Sequence, residues 1–106
     1  MALAVLISLG APNQQFAYAA TTTADFLKWE RSAQDSFFQI SITMAATIAA
    51  QHRPQIAKCL EDWYFRNSEL QDQRHDEILN QMPELTSYRP ASVVLAFLEA
   101  ACGKLD

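Results

Sequence analysis

Few residues in this chain break regular secondary structure, since it contains two glycines and four prolines among 106 residues. Sandwiches and barrels of many short strands need frequent turn-forming residues, so this scarcity argues against an all-β fold and for helices. With so little glycine, a glycine-rich loop that cradles phosphate is excluded. The formal net charge of −4 lacks the basic excess typical of proteins that bind nucleic acid. The composition therefore predicts a helical protein with no nucleic-acid partner.

The first 19 residues carry no charged side chain, and they have the layout of a secretory signal. An apolar run covers residues 2–9, Gly10 and Pro12 break it, and small residues flank Tyr18 in the sequence Ala17-Tyr18-Ala19. We expect residues 1–19 to be removed by cleavage before Ala20, and the product to be periplasmic or secreted. The Lys or Arg that normally opens a signal is missing, and the alternative is an N-terminal core helix. A stable membrane anchor is not expected, because a spanning helix needs roughly 20 apolar residues.

The remaining residues, 20–106, are predicted to form a single all-α domain, a compact bundle of four to five helices with one disulfide. Threonines at 21–23 and the pair Asn67-Ser68 offer N-caps, and Ser32 with Asp35 three residues later has the capping-box spacing. Pro54 and Pro90 suit first turns, Pro83 ends a helix and Gly103 suits a helix C-terminus. The predicted helices are a short one at 24–29, a long one from Ser32 to Gln51, and three at 55–66, 69–81 and 90–102.

Two of these helices have contrasting polarity. Residues 36–51 contain no charge, and their apolar side chains cover most of the helix circumference. This pattern predicts a buried central helix. Residues 69–81 are strongly polar and are predicted to form the most exposed helix.

The chain has two cysteines, Cys59 and Cys102, at mostly apolar helical positions. In an exported chain of this size, a single disulfide between them is the natural interpretation. The alternative is two separate buried thiols. Zinc is not expected, because no CxxC motif or paired His–Cys spacing is present.

Nothing in the sequence has the pattern of a catalytic motif. No GxSxG motif occurs, and no serine has a recognisable base partner. Asp72, His75 and Asp76 have the spacing of one helix face and could form a metal site or an acid–base pair, but polar helices carry such clusters by chance. We therefore expect a non-enzymatic protein with no metal and no cofactor.

Three consecutive aromatic residues, Trp63, Tyr64 and Phe65, spread over about 200° of a helix, so they cannot all be buried. Trp63 is expected in the core, and an exposed neighbour is a candidate anchor for a protein partner. The predicted partner surface combines this aromatic group with the polar helix at 67–81. Its candidate contact residues are Tyr64, Phe65, Arg66 and Arg74. A homodimer is left open.

Several segments of the chain resemble small periplasmic helical proteins. They are Phe26-Leu27-Lys28-Trp29, the apolar helix at 37–50, Cys59 ahead of Trp63-Tyr64, and the ending Pro90 to Cys102-Gly103. Together they resemble the Tai-type immunity proteins, which are helical, stapled by disulfides and bind peptidoglycan amidases of type VI secretion. The resemblance implies a protein-binding role. The opening Thr23 to Leu27 is also similar to the HdeA-like acid-stress chaperones, which implies the alternative function.

Overall fold

The computed structural model describes residues 21–105, and the predicted signal segment at 1–19 lies outside them. The described residues form five α-helices and no strand. A single 3-10 turn, Met82–Glu84, follows the fourth helix. The helices are α1, Thr23–Phe26; α2, Arg31–His52; α3, Pro54–Tyr64; α4, Ser68–Gln81; and α5, Pro90–Cys102. The all-α prediction is therefore confirmed.

The helix starts follow local capping chemistry. Thr22 caps α1 by accepting the amide N–H of Asp25 at 3.3 Å, and Asn67 caps α4 by accepting that of Leu70 at 2.8 Å. The expected cap at Ser32 is wrong, because α2 begins at Arg31 and no side chain caps it.

Prolines and one glycine set the other boundaries. Pro54 and Pro90 occupy the first turns of α3 and α5, where a missing N–H costs nothing. Arg53, which precedes Pro54, leaves the helical region at φ −138° and ψ 74°, so α2 ends there. Gly103 follows α5 at φ +100°, and a Cβ at that position would lie 3.3 Å from Cδ1 of Ile56. The positive φ and this close approach both favour glycine.

One shared core joins the five helices. Aromatic rings of the N-terminal half pack together, with the Phe26 ring centroid 5.4 Å from Phe38 and 4.8 Å from Trp29. Buried Gln34 donates to the backbone carbonyl of Phe26 at 3.0 Å, and the hydroxyl of buried Thr23 donates to the carbonyl of Tyr88 at 2.8 Å. The fully or nearly buried apolar residues are Phe26, Phe38, Ile42, Ala49, Ile56, Leu60, Tyr64, Ile78, Met82, Val93, Val94 and Leu98.

A disulfide joins Cys59 of α3 to Cys102 at the end of α5, with 5.7 Å between the two Cα atoms. The predicted pairing is confirmed. Because the two residues are 43 positions apart in the chain, the bond constrains about half of the domain in its unfolded state.

The prediction that the long apolar helix is buried around most of its circumference is wrong. Only Gln34, Phe38, Ile42 and Ala49 of α2 are buried. Ile40, Met44 and Ile48 on its opposite side are 61%, 60% and 52% exposed. The partner helices α3, α4 and α5 cover one side of α2 and leave the other uncovered. Among residues 21–105, no helix is both long enough and apolar enough to cross a membrane.

Candidate functional site: a buried hydrogen-bond chain and two uncharged surfaces

A chain of hydrogen-bonded polar side chains connects α2, α3 and α4 inside the fold. The hydroxyl of Tyr64 lies 2.6 Å from Nε2 of His75, and Nδ1 of His75 lies 2.9 Å from Oδ1 of Asp35. Nε of Arg31 donates to the same carboxylate at 2.7 Å, and its terminal nitrogen contacts Asp76 at 2.8 Å. Tyr64 and His75 are 0% and 3% exposed, so this chain lies in the interior and reaches solvent at Asp35 and Arg31.

Charge and burial fix the direction of these hydrogen bonds. Burial raises the pKa of Asp35, but hydrogen bonds from Arg31 and His75 outweigh it and hold the pKa below the usual value. The ionised carboxylate can only accept, so Nδ1 of His75 donates its proton to Asp35, and in the neutral ring Nε2 then accepts from the Tyr64 hydroxyl. Burial, together with the negative charges of Asp35 and Asp72, raises the pKa of Tyr64 to about 12.

This arrangement connects α2, α3 and α4 through hydrogen bonds between their side chains. The Tyr64 phenol is out of contact with solvent and holds its proton at neutral pH. Every buried polar side-chain atom within residues 21–105 has a hydrogen-bond partner. The hydrogen-bonded side chains therefore satisfy one another inside the fold, and the loss of one would leave its neighbour without a partner.

Asp72 lies close to this chain, so that Asp35, Asp72 and His75 place one potential ligand atom each within 4.8 Å of one another. The sequence pointed instead to Asp72, His75 and Asp76 as the cluster. Both ring nitrogens of His75 are already engaged, by Asp35 and by Tyr64, and Asp76 pairs with Arg31. A cation would have to displace one of these partners, so the geometry does not point to a metal centre.

The four predicted partner-contact residues are not equally available to a partner. Tyr64 is wholly buried, so the prediction that it contacts a partner is wrong. Phe65 is half-buried against Tyr64, with ring centroids 4.9 Å apart. Arg74 donates to the carbonyl of Trp63 at 2.8 Å, and its guanidinium lies 4.7 Å from the centre of the Trp63 ring. Arg66 is exposed at an open cavity that it shares with acidic residues of α4.

The exposed large apolar side chains of the described residues lie elsewhere. Three of them form the α2 face, which we define as Ile40, Met44 and Ile48, four residues apart along one line of the helix. The other two are Tyr88, 56% exposed and just before α5, and Leu95, 42% exposed and on α5.

Tyr88 forms one wall of an uncharged surface along α5, which we call the α5 groove. It consists of two cavities of about 270 and 220 Å³ that share Leu85, Val93 and Ala96. Ser92, Ala96 and Ala100 are exposed and four residues apart, so the groove runs along a line of small side chains between larger apolar ones. The full lining of the groove is Gln81, Leu85, Tyr88, Ser92, Val93, Ala96, Phe97 and Ala100.

Neither the two surfaces nor the buried hydrogen-bonded side chains were predicted from the sequence. The four-residue spacing of small residues in α5 can be seen in the sequence. The larger residues beside that line, such as Leu85 and Tyr88, lie in the segment before α5, and only tertiary packing brings them there. His75 contacts Tyr64 and Asp35 across 11 and 40 residues, and no local pattern connects those positions. Comparison of the chain with protein-family models, curated proteins and solved structures finds no match in any of the three.

Proposed function

We propose that this protein is a small exported, non-enzymatic helical domain that binds another protein through the α5 groove. The observation that carries the proposal is the groove itself, an apolar recess without a charged side chain on a chain in which 19% of residues are charged. Continuous apolar surface that is free of charge is typical of the centre of protein interfaces. The exposed Tyr88 at its edge is of a residue type enriched among binding anchors.

The dimensions of the groove favour side chains of a protein as its occupant. Its floor of serine and alanine lets a partner backbone approach closely, and the two cavities of about 270 and 220 Å³ accept separate bulky side chains. A partner helix with aliphatic or aromatic residues three or four positions apart would place its anchors in both cavities. Such a partner gains affinity by removing apolar surface from water.

Export is supported by two features. The Cys59–Cys102 disulfide is of a kind that persists in oxidising compartments, and the N-terminal residues have the layout of a secretory signal. Within this setting we propose the Tai-type role, in which the bound protein is a peptidoglycan amidase. The support for this finer assignment is the resemblance described above together with a groove that suits a protein partner.

A matched pair of substitutions tests the groove. Ala96 lines both cavities, whereas Ala101 is exposed on the same helix and lines neither. We expect Ala96→Lys to weaken binding at least tenfold, because it places a charge in the apolar recess, and Ala101→Lys to leave affinity unchanged. Titration calorimetry with a purified peptidoglycan amidase from a type VI secretion system is the direct measurement.

Two results distinguish the general proposal, that the α5 groove binds a protein, from the Tai-type assignment, in which that protein is an amidase. If no amidase binds, the Tai-type assignment fails, and the general proposal is tested with the partner captured from the native periplasm and then purified. Equal binding of that partner by the Ala96→Lys and Ala101→Lys variants would overturn the assignment of the α5 groove.

The alternative function, an acid-stress chaperone similar to HdeA, is favoured by a different observation. Asp35 joins Arg31 and His75 in its ionised form, and its protonation in acid would weaken the contact between α2 and α4. The apolar α2 face lies on the same helix and is already exposed. Aggregation of an acid-sensitive client enzyme at pH 2–3 and at pH 7 is the measurement. We expect no protection at either pH, and substoichiometric protection at the acidic pH alone would favour the chaperone.

A further inference from the structure

The described part of the chain begins against the wall of the α5 groove. The amide N–H and the hydroxyl of Thr23 both donate to the backbone carbonyl of Tyr88, each at 2.8 Å, and the amide N–H of Ala24 donates to that of Thr86 at 3.2 Å. Tyr88 lines one cavity of the groove, and Leu85 in the same segment lines both. The residues that precede the described chain are therefore connected to the fold beside the groove.

The preceding residues, 1–20, share the chemistry of the groove. They contain no charged side chain, and residues 2–9 are alanine, valine, leucine and isoleucine with a single serine. The lining of the groove is likewise uncharged. Contact between the two would remove apolar surface of both from water, which is favourable, without burying a charge, which is costly. The groove and residues 2–9 are thus complementary in polarity.

The length of residues 2–9 also suits the groove. Eight residues of helix are about 12 Å long, and the exposed small residues of α5 that form the floor of the groove cover a similar length. Leu6 is three residues from both Leu3 and Leu9, a helical spacing that sets two side chains next to each other for the two cavities. Residues 10–20 can extend over about 36 Å, so they allow the apolar run to reach the groove in either direction.

We propose that residues 2–9 of the uncleaved chain occupy the α5 groove, and that cleavage before Ala20 opens the groove to the partner protein. The role of the partner rests on the proposed function, whereas the occupancy of the groove does not. A segment joined to the fold by a short connection has an effective concentration on the order of millimolar, so even a weak contact is mostly formed. A partner at micromolar concentration has to displace the segment. Partner binding is therefore restricted to the cleaved protein.

Thiol labelling at Ala96, which lines both cavities, tests the occupancy of the groove without any partner protein. The full chain is purified from the cytoplasm of an export-deficient host and oxidised. With Cys59 and Cys102 joined, the substitution Ala96→Cys supplies the single free thiol. We expect a maleimide to react at least about fivefold more slowly with it in the full chain than in the chain that begins at Ala20. Met44→Cys, on the exposed α2 face, should react at the same rate in both chains.

Two substitutions in the full chain assign the protection to the apolar run. Leu6→Glu places a charge in the run and should raise the labelling rate of Ala96→Cys to that of the shorter chain, whereas Gln14→Glu adds the same charge outside the run and should leave it slow. The rates should not change between about 5 and 100 µM protein, because the contact lies within one molecule.

Four results would overturn the proposal: equal labelling of Ala96→Cys in the two chains, protection at Met44→Cys, protection that survives Leu6→Glu, or protection that grows with protein concentration. Failure of a partner to bind the groove would leave the labelling rates unchanged. The occupancy of the groove and the proposed function therefore fail separately.

Discussion

Replacement of Tyr64 by phenylalanine removes one hydroxyl from the interior and keeps the ring in place. The lost hydrogen bond is the one to Nε2 of His75, at 2.6 Å, and His75 is only 3% exposed. A buried acceptor left without its donor costs about 1–3 kcal/mol. A domain of this size has a total unfolding free energy of roughly 4–13 kcal/mol, so the expected loss is a large share of it.

Urea denaturation followed by circular dichroism measures this loss. With a slope of about 1–1.5 kcal/mol per molar, typical of small domains, the midpoint should fall by about 0.7–3 M. Tyr88→Phe is the matched control, because the Tyr88 side chain is 56% exposed and its hydroxyl should contribute within about 0.5 kcal/mol. Equal midpoints for the two variants would refute the assignment of the Tyr64–His75 hydrogen bond as a stabilising contact.

The pKa of Tyr64 provides a separate test of its surroundings, because burial and the negative charges of Asp35 and Asp72 raise it. Its folded value of about 12 lies above the value of about 10 expected in the unfolded chain. Stability from this difference is therefore fully present below pH 10 and is lost as the pH rises toward 12. We expect Tyr64→Phe to lack this alkaline loss of stability.

Three further predictions concern the disulfide, the loss of stability at acidic pH, and export. Alanine at both Cys59 and Cys102 should remove about 4 kcal/mol of loop-closure stabilisation, and the melting temperature should fall by roughly 15–30 °C in calorimetry; a change under 5 °C would contradict this. The ionised form of Asp35 stabilises the fold at pH values above about 4, the usual pKa of an aspartate, and this contribution is lost as the pH falls further. Urea titrations of Asp35→Asn should therefore show a smaller difference in unfolding free energy between pH 7 and pH 3 than those of the unsubstituted protein. Mass spectrometry of protein exported from a bacterial host should find a mature chain that begins at Ala20, and an intact N-terminus in the cytoplasm alone would refute export.

The helices could be predicted from the sequence because their boundaries depend on local chemistry. Pro54, Pro83, Pro90 and Gly103 act through their own backbone geometry, and Asn67 caps α4 through a hydrogen bond three residues away. The pairing of the cysteines followed from there being only two of them in a chain expected to be exported.

The burial of α2 could not be predicted from its composition. The apolar pattern of residues 36–51 is compatible with a helix that is covered on every side. In a domain with so few helices, α3, α4 and α5 cover one side, and Ile40, Met44 and Ile48 remain exposed. The sequence specifies which side chains are apolar, and the number of neighbouring helices decides how many of them are covered.

The hydrogen bonds from Tyr64 through His75 to Asp35 could not be predicted for a related reason. The polarity of residues 69–81 predicted the most exposed helix, but only half of the residues of α4 are exposed, and His75 and Ile78 point inward. His75 lies three residues before Ile78 and seven before buried Met82, a helical spacing that marks one face. That spacing could have placed His75 in the interior, but Tyr64 and Asp35 become its partners only through the packing of α3 and α2.

Site-specific photo-crosslinking tests the binding of a partner protein at the α5 groove most directly. A photoreactive phenylalanine derivative is placed at Ala96, inside the groove, or at Ala101, outside it, and the protein is exported and irradiated in native cells. The proposal predicts a discrete heavier adduct from position 96 and none from position 101, with a second protein identified in the adduct by mass spectrometry. Adducts of equal yield at both positions, or no adduct at position 96, would contradict it.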